Sequence, residues 1–567
     1  MVASAPKDEH GGDWRLGIEL GDDHEHEVVE RPVASERTLS HERLERALHV
    51  VTLENLGWAV IAAYAALTRL LALGVRPLNP SEAGHALYAY DLVSPGARLG
   101  IASEPSYGGW IHLLTAGFFT AGGANDFTAR LVFALSGLLL IAMAFELRHY
   151  VGRAGGLALA AMLTLSPSVT WFSRASATAL PAAAMALVTI AVFMALHARP
   201  NVRRAAALGL FSGLMIAANP IGLATGAIFL AALIPLGLWE FVTGKNRGLA
   251  IRVWFDRYSK LLVIVIVMTA TTCALSQLTV PGGWDSAAIY QDVRRMLGDS
   301  GQRGFIAGLR FYLPLMTLYE FMIAIAGLLG AVTIIIARIR SRFASWCLIW
   351  AAMSTAFFLG TPIRTTEAIV AMLLPVAVVG ALGLDWFHHR EAWRLLRVPL
   401  AVLVAITLYI SAVANFLCAV PDASEAPWAR HANLFWGAQA TTEQARLYAH
   451  QAVAGIPPAS ATVFFDGEVA APLRWYLRGL RPVRATDAAT VVVTTSAPTS
   501  PEPQPSASYH FDYAEDWRPD FGVATTADVM RFLLSGKIWG PVTTNDITVI
   551  VRKPSSGAPT VILTPGQ

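Results

Sequence analysis

The sequence predicts a polytopic α-helical membrane protein that carries a soluble α/β domain at its C-terminal end. Hydrophobic residues make up 54% of the 567 positions and charged residues only 15%, whereas soluble domains carry about a quarter charged residues. Long apolar runs follow one another from residue 56 to residue 418. After Ala419 the polar residues return, and short strand and helix patterns replace the long runs.

The apolar runs predict about eleven membrane-spanning helices. Several runs are shorter than the roughly 20 residues that cross a hydrocarbon core of about 30 Å, so their ends are defined only to within a few residues. A further stretch, 108–122, is interrupted by glycines and predicts a helix in the membrane interface. The predicted spans are 56–73, 129–147, 155–171, 179–196, 205–218, 221–241, 260–279, 315–337, 344–360, 366–384 and 398–418.

The basic loops predict the orientation, because Lys and Arg concentrate in cytoplasmic loops. They fall after alternate helices, at every second crossing. The N-terminus is then cytoplasmic, the loop 74–110 is external, and the eleventh span delivers the C-terminus outside the plasma membrane. The basic loops are Arg148 with Arg153, Arg199–Arg204, Lys245–Lys260, Arg338–Arg342 and His388–Arg397.

Three parts follow from this organisation. Residues 1–50 are polar and without helical or strand period, and predict a disordered cytoplasmic tail. Residues 51–419 form the membrane domain.

The formal net charge of +3 is too small to indicate nucleic acid as a partner. The three cysteines, Cys273, Cys347 and Cys418, lie in apolar runs without a disulfide or zinc spacing.

Residues 420–567 predict the external α/β domain. One helix is predicted to open at Thr441-Thr442-Glu443, with Thr as its cap, and to run through Ala454, and a second is predicted at 469–479. Strands are predicted at 461–466, 490–495 and 546–552. The Pro-rich stretch 498–506 is predicted to be a flexible insertion. We find no Gly-rich phosphate loop and no Ser–His–Asp spacing here, so the sequence assigns this domain no chemistry.

The loop 74–110 is the main candidate for chemistry, because it combines acids with aromatic residues between apolar helices. Glu82 precedes an apolar-periodic stretch, 83–92, which predicts a short helix along the outer surface. A shielded carboxylate there with a raised pKa would suit a general base. The simpler alternative is that Glu82 stabilises the first helical turn through the dipole. Glu104 and Asp91 are further acids, and together with His85 they leave a divalent metal possible.

Charged residues outside that loop supply candidates for a phosphate site. Arg174, Arg310 and Arg364 lie at predicted outer helix ends, where guanidinium groups suit phosphate; the alternative is that they snorkel to lipid head groups. Glu320 falls within an apolar run and is therefore expected to face protein or a cavity. Asp126 and Arg130 are four residues apart and are expected to pair with each other.

Beyond these single residues, several short motifs follow one another in a fixed order over most of residues 55–420. They are Thr68–Leu70, Leu73–Leu78, Glu82-Ala83 with His85-Ala86, Asp126–Leu131 with Ser136-Gly137, Leu165–Pro167, Phe172–Arg174, Phe311–Pro314 with Leu318–Glu320, and Leu374-Pro375. Their order resembles that of the GT-C superfamily of membrane glycosyltransferases. Within it the chain is similar to the glycosyltransferase-39-like proteins (protein O-mannosyltransferase relatives), and especially to a prokaryotic subgroup associated with flippase activity.

The resemblance implies transfer of a sugar from a polyprenyl-phosphate carrier to a glycan or protein acceptor on the outer face, without a tightly bound cofactor. An acid of the first external loop then acts as base, here Glu82 with Glu104 assisting. The lipid phosphate and the substrate are expected near the remaining candidates. These are His85, Tyr107, Arg174, Arg310, Tyr312, Glu320 and Arg364.

Three departures from the family pattern leave a second hypothesis open. Relatives typically have Asp-Glu where this chain has Ser81-Glu82, and Tyr-His-Gly-Pro where it has Tyr107–Trp110. Polar and acidic residues common in relatives are replaced by Ala175–Thr178. The alternative to an enzyme is therefore a non-catalytic GT-C-fold partner in the assembly or translocation of lipid-linked glycans. A secondary transporter ranks last, because we see no internal repeat.

Overall fold

A computed structural model gives the architecture of the chain. It describes residues 52–94, 108–243, 247–278, 304–337, 339, 341–362, 364–390, 393–419, 440–454, 461–466, 471–483, 489–494, 505–517, 523–535 and 537–552. Of the predicted candidates, Glu104 and Tyr107 lie outside these residues, as do the tail 1–50 and most of the Pro-rich stretch 498–506.

The helical part, in chain order, consists of α1 (Leu53–Leu70), α2 (Pro80–Val93), α3 (Gly109–Gly122), α4 (Asp126–Val151), α5 (Arg153–Leu165), α6 (Pro167–Arg174), α7 (Ala179–Ala198), α8 (Val202–Ala218), α9 (Pro220–Thr243), α10 (Arg247–Leu278), α11 (Phe305–Tyr319), α12 (Phe321–Ile336), α13 (Arg342–Gly360), α14 (Ala368–His388) and α15 (Trp393–Ala419).

The apolar helices support a membrane protein, although they do not confirm eleven spans. Within the described residues six helices are long and apolar enough to cross a membrane, or eight if each of two bent pairs forms one span. The helices Tyr258–Leu278 and Arg394–Val413 have mostly exposed apolar surface. Exposed apolar faces of this extent are stable in lipid and unstable in water.

Two predicted spans are broken by local chemistry. The run 155–171 divides into α5 and α6, which meet at an angle of 58°. Pro167 begins α6 and has no N–H to continue the hydrogen bonds of α5. The run 315–337 divides between α11 and α12 at 105°, with Glu320 at the break. The single helix predicted there is therefore wrong.

Close packing of α12 against α14 depends on glycines. A Cβ at Gly327 would lie 2.2 Å from the side chain of Val376, and a Cβ at Gly330 would lie 2.2 Å from the carbonyl oxygen of Val379. Side chains longer than hydrogen at these positions would therefore push the two helices apart. Small residues allow membrane helices to approach closely and gain packing energy.

The C-terminal region, which we define as residues 440–552, contains strands and short helices. Its described strands form one six-stranded sheet in the order β1-β5-β6-β4-β2-β3, in which β2 pairs in parallel with β3 and β4 and the remaining pairs are antiparallel. The elements are β1 (Ala440–Thr441), α16 (Glu443–Val453), β2 (Thr462–Phe465), α17 (Ala471–Tyr476), β3 (Arg481–Pro482), β4 (Val491–Thr494), β5 (Pro505–Trp517), α18 (Thr526–Ser535) and β6 (Val542–Arg552).

Among the residues that the structure describes, the C-terminal region packs against α2 and near the break between α11 and α12. Helix α17 lies on α2, where Trp475 joins a buried cluster with Leu78, Ala83 and Leu87. Helix α18 lies near the break between α11 and α12, with the ring of Phe532 5.7 Å from that of Tyr319. The candidate site lies beside the first of these contacts.

Candidate functional site

Glu82 holds the beginning of helix α2 through a capping box. Asn79 is the N-cap residue, and its side-chain oxygen accepts a hydrogen bond of 2.8 Å from the backbone N–H of Glu82. Glu82 Oε2 accepts in return from the backbone N–H of Asn79 at 2.7 Å. The reciprocal pair satisfies two donors that a helix start leaves without partners.

The Glu82 carboxylate also forms a two-pronged ion pair with Arg130 of helix α4. Arg130 Nε lies 2.9 Å from Oε1 and Nη2 lies 2.8 Å from Oε2, and both side chains are 1% exposed. The backbone N–H of Ser176 donates to Oε1 at 3.1 Å, and Arg76 Nη2 is 3.6 Å from the same oxygen. Each oxygen of this carboxylate therefore accepts hydrogen bonds from two donors.

This environment lowers the pKa of Glu82. Burial raises the pKa of a carboxyl, but the charge and hydrogen bonds of Arg130, the charge of Arg76 and the backbone N–H of Asn79 together outweigh it. The expected raised pKa is therefore wrong, because the sequence does not reveal the arginine that neutralises the carboxylate. A carboxylate that is held ionised by a bidentate guanidinium is a weak proton acceptor.

Arg130 uses its remaining donors to fix the chain between α1 and α2. Its Nη1 donates to the carbonyl oxygens of Leu73 at 3.0 Å and Arg76 at 2.6 Å, and its Nη2 donates to that of Pro77 at 2.8 Å. The pairing expected between Asp126 and Arg130 is wrong, since Arg130 points at Glu82 and the α1–α2 connection. One guanidinium therefore holds this connection and the first turn of α2 together.

Arg174 closes the end of helix α1. Its Nη1 donates to the carbonyl oxygens of Thr68 and Leu71, both at 2.8 Å, and its Nη2 donates to that of Ala72 at 3.1 Å. Carbonyls at a helix C-terminus lack helical partners and carry partial negative charge, which a guanidinium neutralises. The guanidinium of Arg174, for which the sequence predicts a phosphate ligand, thus donates to backbone carbonyls instead.

Two buried histidines, His85 of α2 and His112 of α3, lie against each other. His85 Nε2 is 3.0 Å from Thr115 Oγ1, and its ring stacks on that of His112 at 4.2 Å. Burial, followed by the neighbouring His112, lowers the pKa of His85 well below its usual value. The candidate His85 is therefore neutral near pH 7 and offers hydrogen bonding instead of positive charge.

His112 is a polar residue that the sequence analysis did not select. Burial lowers the pKa of His112 to about 4, although a hydrogen bond to Gly108 opposes this. Its Nδ1 lies 2.9 Å from the carbonyl oxygen of Gly108. A carbonyl only accepts, so Nδ1 carries the proton, and Nε2 is a buried acceptor without a partner among the described residues.

The other candidates lie on α11, at its end and on the α13–α14 connection. Glu320, 1% exposed, accepts hydrogen bonds from Ser166 Oγ at 2.6 Å and from the backbone N–H of Ser168 at 2.8 Å, at the start of α6. Its expected position facing protein is confirmed. Tyr312 is buried and donates from its hydroxyl to the carbonyl oxygen of Thr365 at 3.4 Å, next to Arg364. Arg310 is exposed on α11.

Glu367 is an acid at this end of the helices that the sequence analysis passed over. It is half-buried immediately before α14, and burial raises its pKa to about 7, although a hydrogen bond from the backbone of Ala179 opposes the shift. Since Glu82 binds the backbone of Ser176, the two carboxylates contact opposite ends of the short link 176–179. An acid immediately before an apolar run was the available sequence signal.

The sequence left open whether the acids of the loop 74–110 and His85 bind a divalent metal. Among the residues that the structure describes, no group of three or more His, Cys, Asp and Glu side chains could hold a metal ion. Glu104, one of the acids that suggested such a site, lies outside them. The geometry brings together Glu82, Arg130 and the 176–179 link, and leaves Arg310 on α11 and Arg364 on the α13–α14 connection.

Comparison with known proteins gives structural matches only. No protein-family profile matches the chain, and no curated protein matches its sequence. Among solved structures it is similar to ArnT from Cupriavidus metallidurans in the apo state, with a TM-score of 0.52 and 17% identity over 76% of this chain and 87% of that one. The same protein bound to undecaprenyl phosphate gives a TM-score of 0.54 with the same identity and coverage.

A weaker match is the archaeal oligosaccharyltransferase AglB from Archaeoglobus fulgidus in complex with an inhibitory peptide and a dolichol-phosphate. Its TM-score is 0.49 and its identity 14%, over 77% of this chain and 65% of that one, which is too low to establish a shared fold. The ArnT match extends over most of both chains. The protein therefore shares the overall fold of ArnT.

Proposed function

We propose that this protein is a membrane glycosyltransferase that moves a sugar from a polyprenyl-phosphate carrier to a glycan or protein acceptor. The observation that supports it most is the likeness to ArnT, one of whose structures holds undecaprenyl phosphate. The buried charged residues at the α1–α2 connection add to this support. Buried charges are costly at membrane depth and are usually retained for a function.

The described contacts favour a positioning role for Glu82 and leave the base role to Glu104. Glu82 fixes the first turn of α2 with Arg130, and its lowered pKa makes it a poor base. Glu104 stays a sequence-based candidate. Arg174 is engaged by the end of α1, so Arg310 and Arg364 are the better candidates for the lipid phosphate.

The proposed reaction is a single inverting displacement. The acceptor hydroxyl gives its proton to the base carboxylate as its oxygen attacks the anomeric carbon. The bond between that carbon and the phosphate oxygen breaks, and the polyprenyl phosphate leaves with the electron pair. Positive groups beside the phosphate stabilise the charge that develops on it. We place this chemistry on the non-cytoplasmic face of the plasma membrane, with the C-terminal region on the same side.

The test separates binding from turnover in purified full-length protein. Undecaprenyl phosphate binding and sugar transfer from polyprenyl-phosphate mannose would be measured for wild type, Glu104→Gln and Glu82→Gln. We expect Glu104→Gln to bind the lipid normally and to lose transfer by about 100-fold or more, the usual range for a general base. Normal transfer by Glu104→Gln would exclude that base assignment.

A second candidate function is a non-catalytic partner in lipid-linked glycan handling. Ser81 stands where relatives have an acid, and it is exposed at the start of α2, while the neighbouring Glu82 is committed to Arg130. This function predicts saturable binding of undecaprenyl phosphate without transfer from any polyprenyl-phosphate sugar. Measurable transfer would exclude it.

A further inference from the structure

The hydroxyl of Tyr476, at the end of helix α17, connects the C-terminal region to the start of α2. It accepts a hydrogen bond of 2.9 Å from the backbone N–H of Leu78 and donates one of 3.0 Å to Asp126 Oδ2. Leu78 is fully buried and directly precedes Asn79, the N-cap of α2. Without this hydroxyl, the Leu78 N–H would lose its acceptor in a buried position.

Trp475 binds the other oxygen of the same carboxylate. Its Nε1 donates to Asp126 Oδ1 at 2.7 Å, and its side chain is fully buried. The indole lies 5.7 Å from the ring of Phe119 on α3 and 6.4 Å from that of Tyr90 on α2. The Asp126 carboxylate at the start of α4 is thus held by two adjacent side chains of α17.

Two arginines extend this contact along the chain. Arg446 of α16 donates to the carbonyl oxygen of Val75 at 2.9 Å and lies 4.0 Å from Asp126. Arg478 donates to the carbonyl oxygen of Ala124. The C-terminal region therefore contacts the α1–α2 connection and the α3–α4 connection at the same time.

We propose that Trp475 and Tyr476 are positioning residues through which the C-terminal region fixes the first turn of α2. The contacts carry this inference by themselves, and its consequence for ligand binding rests on the proposed function. Arg130 of the helical part binds the carbonyl oxygen of Pro77, and Tyr476 of the C-terminal region binds the backbone N–H of the adjacent Leu78. Release of Leu78 frees the N-cap and with it the position of Ser81 and Glu82.

Tyr476→Phe tests this in the full-length protein, with Tyr509→Phe as the matched control. The control tyrosine is buried on β5, and its hydroxyl has no partner among the described residues. Hydrogen exchange would be measured for a peptide covering residues 76–83, together with the affinity for undecaprenyl phosphate. We expect Tyr476→Phe to exchange these amides about tenfold faster and to bind the lipid about three- to tenfold more weakly.

The outcomes distinguish the two proposals. Exchange in Tyr476→Phe that equals the control overturns the positioning role, whereas faster exchange with unchanged lipid affinity overturns its consequence for lipid binding. If the wild type fails to bind undecaprenyl phosphate, the proposed function fails, while the exchange comparison still decides whether Tyr476 fixes α2. Trp475→Phe keeps the ring contact with Phe119 and loses one hydrogen bond, so we expect a smaller acceleration in the same peptide.

Discussion

The ion pair between Glu82 and Arg130 gives the sharpest prediction. Glu82→Gln keeps the shape of the side chain and removes its charge, so Arg130 is left buried without a counter-ion. Each carboxylate oxygen of Glu82 accepts from two donors, Oε1 from Arg130 and Ser176 and Oε2 from Arg130 and Asn79. The amide NH₂ of glutamine would therefore face donors in either orientation.

The size of the effect follows from burial. Both partners are 1% exposed, and removal of one partner from a buried pair costs about 3–5 kcal/mol. Because the pKa of Glu82 lies below its usual value, the stability from this pair is fully present at neutral pH. It is lost only as the pH falls below the ordinary carboxyl range, through the lowered pKa of the folded state.

The measurement is the free energy of unfolding in detergent at pH 7 for Glu82→Gln, Arg130→Met and the double variant. We expect each single variant to lose about 3–5 kcal/mol, and the double variant to lose less than the sum by about 1–3 kcal/mol. The control is Glu443→Gln, since Glu443 is 48% exposed where it pairs with Arg446, and should cost under about 1 kcal/mol. Wild-type stability in Glu82→Gln together with lost transfer would refute the positioning role and restore Glu82 as the base.

Four further substitutions test the surroundings of the site. Gly137→Ala places a Cβ 2.6 Å from that of Ser173 and should lower the free energy of unfolding by about 1–3 kcal/mol. The Cβ of Gly84→Ala meets nothing within 4 Å, so this variant should stabilise α2 by up to about 1 kcal/mol. Equal effects of the two variants in thermal unfolding would contradict this. Arg174→Lys should lower the free energy of unfolding by about 1–3 kcal/mol, and unchanged stability with weaker undecaprenyl phosphate binding would instead indicate a phosphate ligand. Burial raises the pKa of Glu367 from 4.5 to about 7, so the folded state favours the protonated carboxyl. The free energy of unfolding should therefore fall as the pH rises from 4.5 to 7, by up to about 1.4 kcal/mol per pH unit. Identical pH slopes for Glu367→Gln and wild type would contradict this.

The membrane character of the chain could be predicted from composition, because lipid selects apolar residues along the whole length of a helix. The breaks could not, since they depend on single residues within apolar runs. Pro167 interrupts one run and Glu320 stands at the break of another. The cost of a buried charge did predict that Glu320 faces protein, and it binds the start of α6.

The sequence indicates Glu82 as a candidate residue, but it does not indicate the bonds that Glu82 forms. The Asn79–Glu82 spacing is itself a capping-box pattern, so the helix-stabilising alternative for Glu82 could be derived locally. Its partner Arg130 lies 48 residues further along, and no local pattern indicates a contact of that range. For the same reason the sequence does not show that Trp475 and Tyr476 reach Asp126, about 350 residues away.

The most direct test of the whole account is native mass spectrometry of the purified full-length protein with undecaprenyl phosphate and with undecaprenol, which lacks the phosphate. A protein that recognises a lipid phosphate, as proposed here, should bind one undecaprenyl phosphate saturably and bind undecaprenol at least about tenfold more weakly. Equal binding of both lipids, or binding of neither, would contradict it.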